Sequence, residues 1–289
     1  MNVNFGLEKF GFSEGDLDMD NLFETEKEKE EKKESVPKVK KEPVVTQTEA
    51  DFLYDKKISC KVCDMDFDIK VVKYSKTKRD GADRDLRPIY SYVDPQKYDV
   101  ISCPYCGYTA MTRYYDSLTP AQVRLIRMNV CSKFVPTSPE PPEIITYDMA
   151  MDRYKLSLIN TIAKKGKISE KAYTCLKMSW LCRGKADILL DEGMTEQSQG
   201  VIECRKEERY YYEQAFDGLI KAMEKETYPI CGMDSYTLEI LIAEMAYKLE
   251  RYDIASKLVS GLLTSTANRS IKDKALDLKN DIISVLKLL

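Results

Sequence analysis

Apolar positions recur at helical spacing along the second half of the chain and at strand spacing in a short stretch before it. Met149, Tyr154, Leu156 and Ile159 open one helix that stops near Gly166. Ser169 can cap the next, which carries Leu176, Trp180 and Leu181. Residues 205–225, 236–249, 252–263 and 271–288 complete a set of about six helices. Their loops fall where Gly, Pro or small polar residues cluster, at 192–200, 227–234 and 265–269. Upstream, 67–72 and 98–102 hold the β-branched residues of strands, and the polar run 75–87 between them reads as a loop. Thr119-Pro120-Ala121-Gln122 combines an N-cap, a first-turn proline and a capping-box Gln. The helix it starts runs to about residue 133 and places Val123, Ile126 and Val130 on one face. Four prolines within 136–142 interrupt helix and predict a linker over 136–145.

Within the helical half a pattern repeats. Ala215, Leu219 and Ala222 recur as Ala255, Val259 and Leu262 at the same 4-then-3 spacing, 40 residues later. Ala243, Tyr247 and Tyr252 occupy places where a tetratricopeptide repeat sets its small residue and aromatics. The period exceeds the usual ~34 residues, and the 227–234 loop can absorb the difference. Of Tyr210-Tyr211-Tyr212, consecutive on a helix, at least one should face solvent.

The first 50 residues differ from the rest, with 13 acidic and 8 basic side chains. The stretch 24–34 has no apolar side chain, so it cannot bury surface to offset chain entropy, and 1–50 reads as a disordered acidic tail. Within it, 4–23 is rich in Phe and Leu and suggests a short docking motif.

Nine cysteines in a chain with no export signal point to a reducing compartment, the cytoplasm, and to thiols as ligands or core residues. No apolar run approaches the ~20 residues of a membrane span, so no membrane is expected as partner. Cys60-Lys61-Val62-Cys63 and Cys103-Pro104-Tyr105-Cys106-Gly107 form two Cys-x-x-Cys knuckles. Such spacing lets both thiolates of a knuckle reach one ion, and Gly107 supplies the positive φ that the turn requires. Four thiolates in a tetrahedron satisfy zinc and leave no open position, so Cys60, Cys63, Cys103 and Cys106 are expected to hold one structural zinc ion. Iron is the alternative, since the second knuckle and Tyr108 resemble a rubredoxin knuckle, although 39 residues separate Cys63 from Cys103. Cys131, Cys175, Cys182, Cys204 and Cys231 are expected to pack as small hydrophobes. The fold class is therefore mainly α, a small zinc-ribbon-like β module over 51–135 followed by a tetratricopeptide-like helical-hairpin domain over 146–289.

The knuckles, with Asp85-Leu86-Arg87-Pro88, Tyr90, Asp94-Pro95, Tyr98-Asp99-Val100 and Tyr108, resemble an uncharacterised bacterial family, domain of unknown function 2225. The helices carrying Leu176 and Trp180-Leu181 are similar to that family too, so the resemblance covers roughly 51–289. Where some relatives carry histidine near the second knuckle, this chain has Tyr105, which is not one of the four ligand positions. The resemblance implies a cytoplasmic bacterial protein with a zinc-ribbon-like module and tetratricopeptide-like helices. It implies no activity.

The chain has no histidine, which excludes imidazole as base, nucleophile or ligand. It also lacks the phosphate-loop, dinucleotide and nucleophile-elbow glycine motifs. A non-enzymatic adaptor, binding a protein partner through its C-terminal helices, is the first expectation. The alternative is nucleic-acid binding by the basic insertion 70–92. There Lys70, Lys73, Lys76, Lys78, Arg79, Arg84 and Arg87 lie beside Tyr74, Tyr90 and Tyr92, but Asp80, Asp83 and Asp85 interrupt the run. A rubredoxin-like electron carrier or an enzyme ranks below both.

Overall fold

Six short strands precede eight helices in the computed structural model, which describes residues 47–287. The acidic tail and its Phe-rich motif, expected over 1–50, lie almost wholly outside the described residues.

The strands pair as three antiparallel hairpins. β1 (Leu53–Ser59) pairs with β2 (Asp66–Val72), from Leu53 opposite Val72 to Ser59 opposite Asp66. β3 (Arg79–Ala82) pairs with β4 (Pro88–Tyr90), and β5 (Val100–Ser102) with β6 (Thr109–Met111). The sequence carries no strand signal for β1, β4 or β6, and the expected loop 75–87 contains β3. Its polar composition hid a strand because every residue of β3 is exposed, leaving no alternation to read.

After the short α1 (Thr112–Tyr115), α2 (Pro120–Ile126) runs on into a wider turn over Arg127–Cys131. Its capping box forms as the sequence predicts. The Thr119 amide donates to Gln122 Oε1 at 3.0 Å and the Gln122 amide to Thr119 Oγ1 at 3.3 Å. The proline stretch is tied back, since the Thr137 amide donates to the Pro104 carbonyl at 2.9 Å. Ile145 at its end is buried.

Six helices follow: α3 (Tyr147–Ala163), α4 (Ile168–Asp191), α5 (Gln199–Lys225), α6 (Ser235–Lys248), α7 (Tyr252–Thr264) and α8 (Arg269–Leu286). α5 begins six residues earlier than the sequence suggested. Ser169 does not cap α4. It sits inside the helix, and its hydroxyl donates to Glu226 Oε2 at 2.6 Å. The two sets spaced by 40 residues, on α5 and α7, are all buried. Gly218 of α5 lies against Ala172 of α4, where a Cβ would stand 2.7 Å from the alanine's, so glycine permits the close approach of this pair. The tyrosine triplet splits as anticipated, with Tyr210 exposed and Tyr212 buried.

α3 differs from expectation in which face it buries. Met149 and Ile159 are exposed, while Ser157, Asn160 and Thr161 are buried beside Tyr154. This polar face exists because α3 lies against main chain and a buried ion pair, where hydroxyl and amide groups find partners that methyl groups could not supply. One apolar cluster joins Phe52, Val72, Val100 and Met111 of the strand region to Ile145, Tyr154, Met178 and Leu181. A second fills the space among α4–α8, and a third surrounds the four cysteines.

Candidate metal centre

Each cysteine knuckle joins the two strands of a hairpin, the first between β1 and β2 and the second between β5 and β6. Their main chains match. The Cys60 amide donates to the Met65 carbonyl at 2.9 Å and the Asp64 amide to the Cys60 carbonyl at 3.1 Å. At the second knuckle the corresponding bonds run from Cys103 to Tyr108 at 2.9 Å and from Gly107 to Cys103 at 3.1 Å. The residue after the second cysteine takes a left-handed conformation in both, with φ 61° at Asp64 and 75° at Gly107. Aspartate tolerates that region. At 107 it is excluded, because a Cβ would collide with the Phe134 ring.

The four Sγ atoms lie within 4.8 Å of one another. Cys60 and Cys106 sulfurs are 3.6 Å apart, and those of Cys63 and Cys103 3.7 Å. A metal held by four thiolates at ~2.3 Å in a tetrahedron spaces its sulfurs by about 3.8 Å, so the donor set fits one ion. Cys60, Cys103 and Cys106 are buried and Cys63 is half-buried. Hydrogen bonds from Cys103 and Cys106 lower the Cys60 thiol, and Cys106 is pushed up by its contacts with Cys103 and Cys60. Four thiolates in so small a volume need a cation among them.

Surrounding groups fix the knuckles. Arg127 donates from Nε to the Val62 carbonyl at 3.0 Å, and Asn160 Nδ2 to the Gly107 carbonyl at 3.0 Å. Tyr108, fully buried, donates its hydroxyl to the Tyr115 carbonyl at 2.7 Å and stacks on that ring. Among the described residues the Tyr115 hydroxyl has no hydrogen-bond partner, and burial together with the nearby Cys60 and Cys103 sulfurs keeps it protonated. The sequence contained no signal for Asn160 or Arg127, which reach the knuckles from distant helices. Cys175, Cys182 and Cys204 are buried as anticipated, whereas Cys131 and Cys231 are only half-buried.

A family model described as an uncharacterized protein conserved in bacteria, domain of unknown function 2225, matches residues 53–282. The chain belongs to this family. No curated protein and no solved structure matches it significantly. In this member of domain of unknown function 2225, the Asp85-Leu86-Arg87-Pro88 segment closes the β3–β4 hairpin, with Leu86 at φ 70°. Asp85, 4% exposed, accepts from Arg183 of α4, at 3.0 Å from Nη1 and 2.6 Å from Nη2. Arg183 also donates to Asp83 at 2.6 Å and, from Nε, to buried Glu208 of α5 at 2.8 Å. Burial raises the Asp85 and Glu208 carboxyls, but Arg183 outweighs it and holds both below the usual carboxylate range.

Two other arginines of this hairpin are engaged in the same way. Arg84 reaches Glu244 of α6 at 3.0 Å and Asp281 of α8 at 2.5 Å, and Arg87 reaches Asp187 of α4 at 2.8 Å. Lys70 pairs with Asp55 at 2.8 Å and Lys78 with Asp80 at 3.6 Å. The acidic residues that interrupt the basic run are thus ion-pair partners, and the insertion fastens the strand region to the helices.

Proposed function

We infer that this protein is a non-enzymatic adaptor in which one structural zinc ion shapes the strand region and the helical half binds a protein partner. The sealed four-cysteine cluster carries the reading. Its four sulfurs lie within 4.8 Å of one another and can supply every vertex of a tetrahedral ion, and a metal so bound would have no vertex left for water or substrate. All nine cysteines are unbridged, which suits a reducing cytoplasm. Among the described residues no helix is long and apolar enough to cross a membrane.

The hairpin tip at 83–86 touches α4, α6 and α8, which removes that face from a partner's reach. The free flank of α8 is the better surface, since Leu276 and Ile283, one heptad apart, are both exposed. Arg84 and Arg87 already have carboxylate partners, which weakens the case for nucleic-acid binding by the insertion.

Metal analysis and affinity capture of the tagged full chain from its own cell, with and without nuclease, test the reading together. The expected result is one zinc per chain and a stoichiometric protein that survives nuclease. That protein should be lost from the Leu276→Glu/Ile283→Glu variant. Recovery of partners that vanish with nuclease would replace this reading with the nucleic-acid one, and a coloured, redox-active metal would replace it with electron transfer.

A further inference from the structure

A cavity of about 390 Å³ lies between the strand region and the C-terminal end of α4, away from the cysteine cluster. We propose that it is a binding site for a small organic cation, an alkyl amine with protonated nitrogens of the diamine or polyamine class. The proposal is independent of the adaptor reading.

Charge points this way first. Glu49, Asp94, Asp187 and Asp191 line the cavity against only Arg87 and Lys97. Asp191 is the last residue of α4, where the helix dipole adds negative partial charge. Among the described residues, Asp191 has no basic partner within salt-bridge distance. These carboxylates do not converge as ligands for an ion. Among the described residues only the four cysteines do so.

Hydrogen bonding is the second, independent sign. Gln96 lines the cavity at 3% exposure, and its Oε1 is buried with no donor among the described residues. An acceptor left so is unfavourable, and an ammonium N–H entering the cavity would satisfy it. The third sign is aromatic. Tyr90, Tyr92 and Tyr147 contribute to the wall. Tyr92 is 61% exposed and held at φ 68°, with one face stacked on Phe52 at 5.4 Å. That backbone is unfavourable for a bulky residue. The wall already holds one ammonium in this manner. Lys97, 6% exposed, sits 5.2 Å from the centre of the Tyr147 ring and pairs with Glu49 at 2.7 Å.

Calorimetric titration of the full chain with putrescine, and with uncharged 1,4-butanediol as control, tests the site. Putrescine should bind saturably at one site and the diol should not. Asp191→Asn removes the unpaired carboxylate, and Tyr92→Gly removes the ring while suiting the left-handed backbone. Each should weaken binding about three-fold and the pair about ten-fold, as expected for exposed ion-pair and cation–π contacts. Asp273→Asn, an exposed carboxylate on α8, should change nothing. Absence of saturable binding, equal binding of the diol, or weakening by Asp273→Asn as large as by Asp191→Asn each overturns the proposal. If Tyr92→Gly does not fold, Asp191→Asn alone decides.

Discussion

Replacing Arg183 by Met should destabilise the protein by about 3–4 kcal/mol at neutral pH and much less near pH 4. The guanidinium donates four hydrogen bonds, one to Glu208, one to Asp83 and two to Asp85. Methionine fills similar volume but leaves the carboxylates behind. Glu208 keeps Lys248 at 2.6 Å and Arg205 at 3.2 Å. Asp85, 4% exposed, loses both of its donors. Breaking a buried pair by removing one partner typically costs about 3–5 kcal/mol. Protonation of Asp85 sets a ceiling. Neutralising a carboxyl three units below ambient pH costs about 4 kcal/mol at 1.36 kcal/mol per unit. In the variant the folded pKa of Asp85 rises above its unfolded value, so the deficit is full at pH 7 and shrinks as pH falls towards 4. Urea unfolding followed by the fluorescence of Trp180, the single tryptophan and buried among the helices, measures it. Adding Asp85→Asn to the variant should restore part of the loss. A deficit below about 1 kcal/mol, or one independent of pH, would refute the view that the hairpin is locked to the helices by a buried charge cluster.

In the unsubstituted protein, Asp85 and Glu208 titrate below their usual values, so the stability they contribute is full above about pH 4 and lost as pH falls through their folded pKa values. Urea midpoints at pH 5 and pH 3 should differ accordingly. Cys103→Ser should abolish metal retention and open residues 53–111 to protease. Cleavage should extend into α3, whose Asn160 is bonded to the second knuckle, and mass mapping of the fragments would show it. Gly107→Ala should cost about 2 kcal/mol or more, from its φ of 75° and the clash with Phe134, read as a lower melting temperature of the metal-loaded protein.

Local chemistry was legible in the sequence. The capping box at Thr119 and Gln122 needs only residues three apart, and the positive φ at Gly107 follows from a turn five residues long. The two knuckles, the six helices after residue 146 and the burial of the sets 40 residues apart were likewise carried by spacing alone. Such features rest on neighbouring backbone and on one repeated face, and these are properties of order along the chain.

Packing between distant segments was decided only in three dimensions. α3 turns Ser157, Asn160 and Thr161 inward rather than Met149 and Ile159, because what it meets is the Gly107 carbonyl and buried Glu170. A helical pattern records which faces exist, and the partner determines which one is buried. Likewise Asp83, Arg84, Asp85 and Arg87 read only as part of a polar loop until Arg183, Glu244, Asp281 and Asp187 are brought against them. A charge in sequence has no fixed energetic sign. Desolvation opposes it and an opposite charge at 2.6–3.0 Å favours it, and only the fold supplies the second.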